Sequence, residues 1–194
     1  MGKIFGNANG AKIFTERENW QNKYNSARGN LIAAIVFTVI NILLLFIDGS
    51  SYFLFSIFVP YFITLIGMTF TGKLPEEYYT EDWAGFEFWD DSALIVMLVI
   101  AVVILGLYLL SWIFSKKNRM GWLIFALVIF CMDTLLMLYF QGITESIIDI
   151  VFHVWVIVSL VNGIRAYVKL KELPEEEIAE ITEVPEENVE ETVE

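Results

Sequence analysis

The sequence predicts an all-α polytopic membrane protein, a helical bundle of four to five transmembrane segments. Three observations carry that prediction. The 194 residues are 57% hydrophobic and 15% aromatic, with a mean hydropathy of +0.61, a composition outside the soluble range. The apolar residues fall in unbroken blocks near the roughly 20 residues a helix needs to cross a bilayer core, not in amphipathic stripes. Nearly all of the charge lies outside those blocks. Residues 172–194 carry eleven Glu and no basic residue, so most of the formal net charge of -12 belongs to a tail, and the first 171 residues hold 13 acids against 12 bases.

Residues 1–30 form a basic juxtamembrane segment with five basic and two acidic side chains. Within it, TERENWQNKYNSARG at 15–29 places Trp20, Tyr24 and Ala27 on one side of a helix. That pattern predicts a helix at the membrane interface, where Trp and Tyr prefer to sit and Lys and Arg meet anionic headgroups. An ordinary lead-in to the first span reads equally well. The polar length before the first apolar run and the lack of a small-residue cleavage site argue against a removed signal peptide. Gly6 stands where a myristoylation site needs Ser or Thr.

The transmembrane bundle is expected over 31–170, in blocks 31–47, 52–70, 92–115, 121–140 and 146–168. In the first, Thr38 and Asn41 make a polar pair on one face, of the kind that bonds a neighbouring helix; DGSS at 48–51 reads as a turn. Block 52–70 carries Pro60 near its centre. Proline removes a backbone donor, leaving two arms each long enough for half a bilayer, so the block is either a kinked span or a re-entrant segment. Residues 71–91 hold seven acids, one Lys and six aromatics, a surface loop hugging the interface.

Charge bears on the choice. If all five blocks cross, each side of the membrane receives six bases; if 52–70 dips in and returns, eleven bases share one side and only Lys73 lies on the other. The positive-inside rule then favours four crossings plus a re-entrant segment, with both termini cytoplasmic in a multi-pass protein of the plasma membrane.

The last two blocks form a helical hairpin around the polar turn QGITES. Counted from Ile143, Asp133 and His153 are equally distant, so antiparallel helices bring them to similar depth. The hairpin holds the only His and only Cys of the chain. Asp149 lies four residues before His153, and Glu145 one turn earlier, giving a polar stripe down one face. Ionisable groups at membrane depth are functional suspects by default. Three readings of Asp133, Asp149, His153 and Glu145 stand together: hydrogen bonds that hold the hairpin, a proton or cation path, and a metal or acid–base site. One His with carboxylates is a thin ligand set for zinc, and HExxH is absent. GxSxG, a Walker loop, GxGxxG and paired Cys are absent too, so no enzyme activity, metal or cofactor is expected. Cys131 reads as a small core hydrophobe. Ser159 and Gly163 form a small-xxx-small pair beside Asn162, suited to close helix packing within the bundle or between protomers of a homo-oligomer.

The segment 171–194 reads as an acidic disordered tail, too charged and too poor in aromatics to fold alone. Its related pieces LPEEEI at 173–178 and VPEENV at 184–189 offer a linear motif for a protein partner with a basic surface. Nucleic-acid binding has no support, because the basic clusters are short and topology explains them. The functional expectation is a non-enzymatic accessory or scaffold subunit whose partners are the lipid bilayer and a protein held through its cytoplasmic ends. The alternative is a small proton- or cation-coupled transporter or channel-like protein using the intramembrane Asp and His.

Overall fold

The computed structural model describes residues 15–47, 55–116, 119–142 and 147–173. Glu145, residues 1–14 and the tail from residue 174 lie outside the described residues, so the expectations for them are neither met nor corrected here. Every regular element among the described residues is helical: α1 (Glu16–Ile47), α2 (Phe58–Phe70), α3 (Asp91–Phe114), α4 (Met120–Gln141) and α5 (Ile147–Glu172), with two short 3-10 turns between α2 and α3. Four of these, α1, α3, α4 and α5, are long and apolar enough to cross a membrane. α2 is not: its 13 residues rise only about 20 Å.

α1 is continuous for 32 residues. Residues 16–30 therefore extend the first span along its own axis and do not form a separate element. The reason lies in what Tyr24 and Ala27 touch. Both are buried with Leu31, Ala34, Leu123 and Leu160 in the main core, and the Tyr24 ring lies 6.2 Å from that of Tyr167 on α5. Burial on that face carries the helix past the point where the apolar run begins.

α1 and α5 run antiparallel and very close. A Cβ on Gly163 would sit 2.5 Å from the Ala27 Cβ and 2.9 Å from Leu123. One turn away, the Asn30 amide donates to Ser159 Oγ at 2.6 Å. The small-residue pair predicted on α5 thus serves the intrachain α1 contact. In lipid, where tails are as apolar as Leu, such backbone approach and interhelical hydrogen bonds are what hold helices together. α3 stands at the opposite extreme. Its mid-helix residues Val99, Val102 and Val103 are more than half exposed, as expected of a helix face turned to lipid.

One end of the bundle is closed by α1 acting on other helices' carboxyl ends. Tyr24 Oη donates to the Ser115 carbonyl at 2.7 Å, and Arg28 donates through Nε to Ser115 Oγ and through Nη2 to the Trp112 carbonyl. Arg17 donates to the Leu173 carbonyl beyond α5. The last carbonyls of a helix have no intrahelical donor and carry partial negative charge, so a guanidinium there satisfies both demands. At the other end, Asp90 accepts from the Ser92 amide and caps α3. That backbone bond holds the Asp90 carboxyl below its ordinary value.

Candidate intramembrane polar site

The site is built on the start of α2. Ile57 donates its amide to Thr38 Oγ1 on α1 at 2.8 Å, while Met68, near the far end of α2, shares a small core with Leu45. Ile57 therefore lies at the level of Thr38, well back from the end of α1 at Ile47, and α2 climbs from there beside the last part of α1 as a half-helix that starts at mid-bundle. Phe55, just before the turn into α2, has φ 83°, a left-handed backbone that an aromatic side chain adopts at a cost of about 1–2 kcal/mol. Its ring is held at 5.0 Å from Phe152 in an edge-on contact and at 6.4 Å from Phe37.

Starting a helix inside a bundle exposes four amides that no preceding turn can satisfy, and lipid offers them no water. Each of the four is accounted for here. Ile57 uses Thr38. Phe58 and Val59 donate to the two oxygens of one carboxylate, Asp133 Oδ2 at 3.0 Å and Oδ1 at 2.8 Å. The fourth position is Pro60, which has no amide hydrogen. Pro60 thus lies in the first turn of α2, where the missing donor costs nothing. The Pro-broken segment 52–70 is broken before the proline.

Asp133 is buried on α4, and His153 is buried on α5. They meet as their equal distance from the turn requires: His153 Nε2 lies 3.1 Å from Asp133 Oδ2. The other ring nitrogen, Nδ1, is 2.8 Å from the carbonyl of Asp149. A carbonyl only accepts, so Nδ1 carries a hydrogen and one further proton lies between Nε2 and the carboxylate. Phe130 and Phe152 flank the imidazole, with centroids 5.0 and 5.8 Å away. Asp149 therefore enters the cluster through its backbone, and its side chain is only half-buried.

Chemically, the cluster is a trans-acting helix cap. A carboxylate held by two amides at a helix amino end is favoured by charge-assisted hydrogen bonds and by the helix dipole, and the imidazole completes its coordination. Asn41, one turn beyond Thr38, is fully buried as well. No group of three or more His, Cys, Asp or Glu with metal-binding geometry occurs among the described residues.

Sequence reasoning missed Tyr79 and, for Thr38, the role of backbone acceptor. Thr38 reads in sequence as half of an interhelical polar pair, yet it accepts from a backbone amide and donates back to the Ala34 carbonyl. Tyr79 holds the far end of α2, its hydroxyl lying 3.1 Å from the Thr69 carbonyl. The signal for Thr38 was present: a proline in the first turn of a helix leaves three preceding amides needing acceptors. Compared with known protein families, curated proteins and solved structures, the chain matches none.

Proposed function

We propose that the chain is a non-enzymatic accessory or scaffold subunit of a plasma-membrane assembly, holding a protein partner through cytoplasmic ends. One observation supports this most: the buried Asp133–His153 pair is already occupied with the backbone of α2. Intramembrane charge that anchors a half-helix is a structural use. The distinctive polar sequence that remains lies outside the spans, in the basic segment 1–30 and the acidic segment 172–194. Charge supports the orientation: segments 1–30, 115–119 and 165–171 carry eleven of the twelve Lys and Arg, and among the described residues the contacts of Tyr24 with Ser115 and of Arg17 with Leu173 bring the start of α1 to the carboxyl ends of α3 and α5. By the positive-inside rule that end of the bundle is cytoplasmic.

The test is co-purification from native membranes in mild detergent, comparing the full chain with one ending at Lys171. A stoichiometric partner present with the full chain and lost with the shorter one is the expected result. Purification of both forms alone overturns the reading. Orientation is checked in a Cys131→Ser background with Ala84→Cys, which labels from outside intact cells; Gly85, with φ 83°, is a poorer place for a side chain.

A second reading rests on one specific feature, the helix that starts at mid-bundle beside an ionisable pair, since discontinuous helices and intramembrane acids recur where ions and protons move. It requires that proton flux in liposomes stop in Asp133→Asn protein that retains its helical content; normal flux removes it.

A further inference from the structure

We propose that the groove between α1 and α5 is a binding site for one anionic phospholipid, with Lys23 and Arg165 holding its phosphate. The groove has a volume of about 520 Å³ and is lined on α5 by one helix face, Trp155, Val158, Ser159, Asn162 and Arg165, and on α1 by Trp20, Asn22, Lys23 and Ser26. The register of the two helices orders these side chains by depth. Asn30 bonds Ser159, Ala27 abuts Gly163 and Tyr24 faces Tyr167. Lys23 and Arg165 therefore lie toward the basic end of the bundle, and Val158 and Trp155 lie deeper.

The groove is thus polar and cationic at the top and apolar at the bottom, the profile of a phospholipid and not of a soluble anion. Arg165 to Trp155 spans about 15 Å of helix, enough for a headgroup and the first part of an acyl chain. Among the described residues neither Lys23 nor Arg165 has an acidic partner; the Lys23 ammonium rests over the Trp20 ring at 4.1 Å. By contrast, Arg17 and Arg28 at the same end are committed to helix carbonyls. Two uncommitted cations facing one polar recess, with Asn22, Ser26 and Asn162 beside them, match a phosphodiester that needs charge and several donors. The deeper wall is continuous with the half-exposed faces of Val154 and Val158, so a lipid tail meets apolar surface where a free ion meets none. An Arg next to Trp and Asn also reaches the headgroup level while its stem stays along apolar surface.

The experiment uses the full chain purified in detergent and read by native mass spectrometry and by thermal unfolding, with phosphatidylglycerol, phosphatidylcholine and inorganic phosphate as probes. The expected result has three parts. Phosphatidylglycerol gives one saturable adduct and raises the melting temperature, and phosphatidylcholine does neither. Lys23→Gln/Arg165→Gln weakens the adduct at least tenfold, while Lys116→Gln, a charge removed elsewhere at the same end, does not. Millimolar inorganic phosphate fails to displace the lipid. Displacement by inorganic phosphate would assign the site to a free anion and overturn the lipid reading. Equal loss in Lys116→Gln would reduce the effect to general surface charge and overturn it as well. Should the double variant fail to fold, Asn162→Leu, which fills the recess without removing charge, is expected to weaken the adduct, and an unchanged adduct there overturns the proposal.

Discussion

Replacing Asp133 by Leu tests whether one carboxylate holds α2 in place. The side chains are close in size, so the change removes acceptors with little change in volume. Three groups lose their partner: the amides of Phe58 and Val59 and the Nε2 side of His153. A buried group left unsatisfied costs about 1–3 kcal/mol in a soluble protein, whereas polar contacts between membrane helices average nearer 0.6 kcal/mol. Taking about 1 kcal/mol for each, α2 loses about 3 kcal/mol, roughly two decades in its opening equilibrium. Hydrogen exchange read by mass spectrometry on a peptide covering 57–64 measures that opening directly. Exchange there should accelerate about a hundredfold while peptides from the α1–α5 contact change far less. Asp133→Asn should fall between, because its single oxygen keeps the Val59 amide, and its NH2 group can donate to His153 but repels the Phe58 amide. Adding His153→Leu to Asp133→Leu should recover part of the loss by removing the orphaned imidazole, a coupling that distant sites would not show. Exchange in Asp133→Leu within threefold of the parent would refute the capping argument.

Four further outcomes follow from the same contacts. Pro60→Ala should destabilise by about 1 kcal/mol, because the amide it introduces at this first-turn position finds no acceptor; a clear rise in melting temperature, the result of taking a proline out of a helix interior, would place it inside a continuous helix instead. Gly163→Ala should destabilise by about 1–3 kcal/mol through overpacking against Ala27, and Ala27→Gly should restore much of it in the double variant. Arg28→Ala should loosen the α3 end, seen as faster exchange in a peptide covering 108–116, with Lys23→Ala as the silent control. The cap at Asp90 predicts a pH dependence: because its folded-state value is lowered by the Ser92 amide, its stabilisation is present above the ordinary carboxylate range and disappears as pH falls through the lowered value. Asp90→Asn should flatten that acid limb of the stability profile, and an unchanged limb would remove the cap from the account.

What the sequence disclosed divides along a physical line. Span number, the hairpin and the meeting of Asp133 with His153 depend on length, hydropathy and equal counting from a turn, and these are properties of the chain itself. The role of the pair depends on which backbone comes to lie against it. Asp133 is 75 residues from Phe58, and hydropathy does not place a short segment relative to a distant carboxylate. Pro60 illustrates the limit well. Treated as an interruption of nineteen apolar residues, it implies two half-length arms; treated as a first-turn residue, it implies one helix and three amides in search of acceptors. Only the second treatment turns a composition anomaly into a requirement, since backbone donors inside a bilayer must be satisfied by protein. Among the described residues the buried polar groups at that depth include Thr38, Asn41, Ser56, Asp133 and His153. Of these, only Asp133 offers two oxygens to two adjacent amides. The constraint that makes an intramembrane acid expensive, namely that it needs hydrogen-bond donors, is met here by the constraint that makes a buried helix start expensive, that it needs acceptors. Each defect supplies what the other lacks, and the structural role proposed for the pair rests on that match.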